Sequence, residues 1–180
     1  METYTKARPM VDNPDFDEQR AAALRALEGA QIDEPLVPLI AELNRLPYCF
    51  TLQCCYGHFL PEGEIDEQTL APPPVRGRKP VEYRIAYLAL CIRDDAEGRA
   101  LLEAVKGLRD VERMVVQVGS ADWFWDQQVN TYVVQVGLRK HKRQDSMTLD
   151  GKQARHVAHT RTLLYRHFSE LVQGLLAEPE

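Results

Sequence analysis

The chain has 180 residues, of which 44% are hydrophobic and 27% charged, with a formal net charge of -5. A chain of this size suits one domain, 1–180, and buries roughly 70% of the surface it exposes when unfolded, enough to fold alone. The acidic balance excludes indiscriminate nucleic-acid binding; no apolar run approaches the roughly 20 residues that span a bilayer, and the opening METYTKARPMVDNPDFDEQR lacks the apolar centre of a secretory signal, so a cytoplasmic protein with no membrane partner is expected.

In chain order, the spacing predicts a helix over 17–28, with Ala21, Leu24 and Leu27 on one side and Gly29 as its stop. Asp33 is placed to cap a second helix, which tolerates Pro35 in its first turn because the missing N–H has no partner there. Leu36, Leu39, Ile40 and Leu43 make its apolar stripe, Pro47 ends it, and 48–54 reads as a strand. Residues 61–80 form a Pro-rich internal loop: LAPPPVRGRKP holds four prolines and a glycine, which oppose regular structure. Strands follow at 82–92, 113–118 and 131–138, with a helix capped by Asp94 and Asp95 running to Lys106. The stretch GSADWFWDQQVN between the last two strands reads as a hairpin tip. A long helix over 152–177 closes the chain, with Val157, Leu164, Phe168, Leu171 and Leu175 at core spacing. The expected fold is α+β, one domain with a mixed or antiparallel sheet flanked by helices.

Chemistry concentrates at the end of the first predicted strand. Three of the four cysteines and one of the five histidines fall between Cys49 and His58. Gly57 permits a tight turn, in which Cys55 to His58 are expected to lie, and turn N–H groups beside Cys55 lower a thiol's pKa. His58, with a reference pKa of about 6.5, suits proton transfer near neutrality. The pairing fits nucleophilic or acid–base chemistry, and it fits equally a set of small side chains packed under a turn. Cys49, Cys54, Cys55 and His58 are donors that suit zinc, yet alternate strand residues face opposite sides and no C-x-x-C pair occurs, so no metal site is expected. His156 and His159 share one face of the closing helix by their spacing and are read as solvent-facing. Cys91, in an apolar run, is read as a small buried hydrophobe, and all four thiols as reduced.

Charge is unevenly placed. Residues 1–70 carry -8, whereas 139–167 carry +6, counting Arg139, Lys140, Lys142, Arg143, Lys152, Arg155, Arg161 and Arg166 against Asp145 and Asp150. Such asymmetry is either a solvated face or the footprint of a polyanion. Trp123, Phe124 and Trp125 invite base stacking, although a hairpin tip folded on the core accounts for them as well.

The helix IDEPLVPLIAELN, ending in Asn44, is followed by Thr51-Leu52-Gln53-Cys54-Cys55-Tyr56-Gly57-His58. This run, within 16–57, resembles the N-terminal part of the wybutosine-synthesising tRNA methyltransferase family, which carries an acidic helix ending in Asn and a Thr-Thr-Ser-Ser-Cys-Ser-Gly-Arg signature. Thr51, Cys55 and Gly57 match in register, and His58 stands where that family has arginine. The resemblance implies a similar fold, S-adenosylmethionine as cofactor bound by Thr51, Gln53, Cys55 and Gly57, and Cys55 and His58 as catalytic residues. It further implies methyl transfer to a modified tRNA or nucleotide; the charge asymmetry then places Arg139, Lys140, Lys142 and Arg143 on phosphate. The alternative is a non-catalytic small-molecule, metal or thiol-site binding domain on the same scaffold, since imidazole and lost hydroxyls do not reproduce the planar fork of guanidinium.

Overall fold

The computed structural model describes residues 4–61, 69–74, 80–138 and 145–177. Along the chain run β1 (Tyr4–Thr5), α1 (Phe16–Leu27), a 3-10 turn (Glu34–Leu36) leading into α2 (Val37–Leu43), β2 (Cys49–Cys55), β3 (His58–Pro61), β4 (Val81–Arg84) and β5 (Ala86–Ile92). There follow α3 (Ala96–Gly107), a 3-10 turn (Leu108–Val111), β6 (Val116–Ala121), α4 (Asp122–Gln127), β7 (Thr131–Val136), β8 (Ser146–Leu149) and α5 (Gly151–Ala177).

The strands pair antiparallel throughout, in a five-stranded sheet of order β1-β6-β7-β5-β2 and a three-stranded sheet of order β3-β4-β8. β5 and β7 lie inside the larger sheet, and their near-continuous apolar runs reflect burial on both faces. One face packs with α2, α3, α5 and the smaller sheet into the main core, where Leu88, Leu90, Val134, Leu164 and Phe168 are fully buried. The other face is covered at two places: Phe16 of α1 packs on Phe50 with ring centroids 5.3 Å apart, and Phe124 of α4 packs among Ala89, Ala121 and Val133. The expected α+β class therefore holds, with two antiparallel sheets in place of one.

That second sheet arises where a single strand over 82–92 was expected. The chain bends at Ile85, and Tyr83 fixes the bend: its hydroxyl accepts from the Ala86 N–H at 3.0 Å and donates to the Val136 carbonyl at 3.1 Å. β4 thus leaves the sheet to which β5 belongs. Its second partner, β8, was not anticipated, because the alternation Ser-Met-Thr-Leu is too short to register beside a basic run. The expected hairpin tip is instead the helix α4, entered directly from β6, and β6 itself begins three residues later than the pattern suggested. α2 ends at Leu43, before Pro47, with the Asn44 side chain donating to the Ile40 carbonyl at 2.8 Å. Of the Pro-rich loop expected over 61–80, Pro61 instead ends β3, opposite Val81, 69–74 is irregular as expected, and 62–68 and 75–79 lie outside the described residues.

α5 matches its expected span within one residue, and its apolar stripe supplies Val157, Leu164, Phe168 and Val172 to the core. Leu164→Ala removes a fully buried side chain and should lower stability by about 2–5 kcal/mol, read as a lower urea midpoint at unchanged slope; a change under about 1 kcal/mol would show that α5 does not anchor the core.

Candidate functional site at the end of strand β2

β2 ends at Cys55 and β3 begins at His58, so only Tyr56 and Gly57 form the corner, where Cys55 to His58 were expected. Gly57 has φ of 88°, and a Cβ there would stand 2.8 Å from the Tyr83 hydroxyl and 2.9 Å from the Ala86 Cβ. Glycine is required on both counts. The carbonyl of Gly57 accepts from Arg161 Nη1 at 2.8 Å. Arg161, only 4% exposed, also donates to the Leu70 carbonyl at 2.5 Å, and its guanidinium carbon lies 4.0 Å from the Tyr56 ring centroid and 5.5 Å from that of Phe59. Although it falls within the basic segment 139–167, Arg161 belongs to the interior. Tyr165, one helical turn on, stacks on Tyr56 at 5.5 Å.

Asp33 does not serve as the helix cap expected of it. It precedes the 3-10 turn, but its carboxylate makes no cap there. Oδ2 accepts instead from the Tyr56 N–H at 2.7 Å, and His58 Nε2 lies 3.1 Å from Oδ1 and 3.2 Å from Oδ2. The Cys55 Sγ accepts from the Gly57 N–H at 3.3 Å. One donor atom each of Asp33, Cys55 and His58 lie within 4.8 Å of one another. All three residues are half-buried. No local pattern signals this use of Asp33, since its partners are more than twenty residues away.

The thiols are not activated. Burial pushes the Cys55 thiol above its ordinary value and outweighs the Gly57 N–H, which acts downward; the Asp33 charge raises it further, and Arg161 and Arg84 act downward. The expectation that turn N–H groups lower it is thus corrected: one N–H donates to the sulfur, but desolvation dominates. Burial, aided by Asp33 and Cys55, also lifts Cys54 from 9.0 to about 11. Cys49 and Cys91 are buried and pushed up to about 12, chiefly by desolvation, and donate to the Leu43 and Val129 carbonyls.

Beside the corner, a cleft of about 310 Å³ runs along β2, the edge strand of the larger sheet, between α1 and α2. Ala23, Ala26, Leu27, Ile32 and Ile40 give it apolar walls, and Thr51, Leu52, Gln53 and Cys54 supply the strand side. A bulge at Leu52 lets Thr51 pair with Leu90 and Gln53 with Ala89, so adjacent positions of β5 take residues two apart in β2. Asn44 and Thr51, both carried by the resemblance, are partners: Asn44 donates to Thr51 Oγ1 at 2.8 Å and accepts from the Thr51 N–H at 3.1 Å. Gln53 Oε1 accepts from the Tyr87 hydroxyl at 3.0 Å. The cleft therefore gathers Thr51 and Gln53, while Cys55 and Gly57 stand at the adjoining corner.

Other candidates fall apart from it. Arg139, Lys140, Lys142 and Arg143 lie outside the described residues. Trp123 is 48% exposed, Phe124 is buried, and Trp125 packs edge-on to Tyr132 with Arg8 over its ring. His156 and His159 are exposed, and His167 pairs with Glu170 at 3.1 Å.

No protein-family model matches the chain, and no curated protein matches it. Among solved structures it is similar to the PH1069 protein from Pyrococcus horikoshii, at 15% identity over 88% of this chain and 93% of that one with a TM-score of 0.48. It is similar also to a hypothetical protein from Aeropyrum pernix, at 15% identity over 79% of this chain and 98% of that one with a TM-score of 0.45.

Gly57→Ala combines a left-handed backbone with contacts no Cβ tolerates, and should lower stability by about 2–4 kcal/mol; thermal unfolding indistinguishable from wild type would mean that the corner is not fixed as described. The thiols give a second expectation. A raised folded-state pKa means that the unfolded chain releases its proton first. The stabilisation from Cys54 is therefore complete below the ordinary thiol value of 9.0 and lost as pH rises through about 11. Urea unfolding across that range should show declining stability, and Cys54→Ser should flatten the decline.

Proposed function

We propose that the protein is a diverged relative of the wybutosine-synthesising tRNA methyltransferases, binding S-adenosylmethionine in the cleft along β2 for methyl transfer to a modified tRNA or nucleotide. The observation that carries the reading is the composition of the cleft wall: Thr51, Leu52, Gln53 and Cys54 come from the strand that bears the family-like signature. At about 310 Å³ it lies at the small end of ligand pockets, which run from roughly 300 to 1,000 Å³. Apolar walls with a few directional polar groups suit a nucleoside, whose ring wants contact and whose edges want hydrogen bonds. Gln31 and Gln53 supply amides, and the Ile32 and Ile40 side chains supply the apolar surface.

The bound group would supply a sulfonium methyl, and the protein's part is to orient it and exclude water. Raised thiol pKa values argue for direct transfer to the acceptor over a covalent step on Cys55. The same observation supports a second reading, a binding domain on this scaffold that carries out no transfer.

Both readings are separated by one set of measurements. Saturation with S-adenosylmethionine or S-adenosylhomocysteine should raise thermal stability, by about 2.7 kcal/mol at 100 times the dissociation constant. Ala26→Trp, at the exposed rim of the cleft, should abolish that shift while leaving the unliganded melting temperature unchanged. Transfer of labelled methyl to tRNA would support the enzyme; a shift without transfer would move the protein to the binding reading, and no shift with either ligand would overturn the cleft assignment.

A further inference from the structure

We propose that Asp33, Cys55 and His58 form a three-ligand site for a divalent transition metal, zinc by preference, with a fourth position open to solvent or ligand. The inference does not rest on methyl transfer, and its test uses no S-adenosyl ligand. It departs from the expectation of no metal site, which weighed Cys49, Cys54, Cys55 and His58 but not Asp33.

Geometry carries it. Zinc bonds of about 2.0–2.3 Å in tetrahedral array place neighbouring donors roughly 3.3–3.6 Å apart. His58 Nε2 and Asp33 Oδ1 already stand 3.1 Å apart, and the Cys55 sulfur completes a triangle with no side longer than 4.8 Å. Small side-chain rotations bring the three onto one ion. Asp33 and His58 supply two of the donors, and the Cys55 sulfur, brought beside them across the two-residue corner from β2, supplies the third.

The chemistry of the donors selects the ion. A thiol excludes magnesium and calcium, which take oxygen ligands, whereas sulfur, imidazole and carboxylate together suit zinc. On binding, the thiol gives up its proton and the imidazole carries its remaining proton on Nδ1, leaving Nε2 to ligate. Carboxylate and thiolate then balance the dication, so the half-buried site holds no net charge.

Two of the three donors are positioned by the backbone in the manner of metal sites, where outer hydrogen bonds aim the ligands. Asp33 is held by the Tyr56 N–H and the Cys55 sulfur by the Gly57 N–H. Cys54 is excluded by strand alternation: it pairs with Leu88 and Cys55 with Tyr87, on opposite faces. Three protein ligands rather than four is the pattern of sites that bind and polarise a further group.

The test is a titration of metal-stripped full-length protein with zinc against a chromophoric chelator, and with cobalt followed by absorption. One equivalent of zinc is expected to bind, and cobalt should show a thiolate charge-transfer band. Asp33→Asn, Cys55→Ser and His58→Gln should each weaken zinc binding by about 100-fold or more, because even outer-shell changes cost roughly 10- to 100-fold. Cys54→Ser and the double variant His156→Ala/His159→Ala should bind as wild type does. Absence of zinc binding by the wild type would overturn the proposal, as would binding indifferent to Cys55→Ser. Should the ligand variants unfold by circular dichroism, the wild-type cobalt spectrum decides: a sulfur band that survives Cys54→Ser supports the site, and its absence overturns it.

Discussion

The fold depends on how a buried guanidinium is held. Arg161 lies midway along α5, almost wholly removed from water, and a charge in that position is costly unless its hydrogen bonds are met. Among the described residues its Nε is buried with no hydrogen-bond partner, while its Nη1 and Nη2 donate to the carbonyls of Gly57 and Leu70 and the ring faces of Tyr56 and Phe59 flank it. These belong to the β2–β3 corner, to β3 and to the irregular segment that follows it. One side chain therefore fastens the longest helix to the point where the chain leaves one sheet for the other. Lysine has a single head group and cannot meet two carbonyls while lying flat between two rings.

From that fastening the cleft follows. β2 is an edge strand, and an edge strand presents backbone groups that need cover. Asn44 covers one such place by pairing through both ends of its amide with Thr51, and Arg20 of α1 donates to the carbonyls of Asn44, Leu46 and Cys49. Both contacts act at the start of β2, so α1 and α2 are drawn in there. Further along, beside Gln53 and Cys54, the helices stand off and the cleft opens. The residues from Asn44 to Gly57 thus divide by place: Asn44, Thr51 and Gly57 hold the scaffold, whereas Gln53 and Cys54 line the cleft and Cys55 stands at the corner beside it.

Periodicity made α5 legible, because its apolar stripe is long enough to outweigh local exceptions, whereas of α1 only Phe16, outside its expected span, is buried. α3 was legible from its cap, an aspartate at the entry to the helix, and the Asp95 side chain does accept from the Gly98 N–H at 2.7 Å. What could not be read was anything decided by distant partners. The break at Ile85 depends on a hydroxyl bond between Tyr83 and Val136, and the α4 helix depends on burying Phe124 against β5 and β7. Propensity saw aromatic residues and turn formers in that stretch and could not see the surface that awaited them.

Asp33 shows the limit most sharply. An aspartate two residues before Pro35 is a sound N-cap by local rules, and its backbone does sit at the entry to the turn. Its carboxylate is nonetheless withdrawn from the helix, because a stronger demand lies across the fold: the Tyr56 N–H, at a corner where the β2 ladder has ended, has no strand partner to receive it. Meeting that demand brings a carboxylate to the imidazole of His58 and within reach of the Cys55 sulfur. The candidate site is thus a by-product of satisfying one backbone donor beside a glycine that only a tight corner requires.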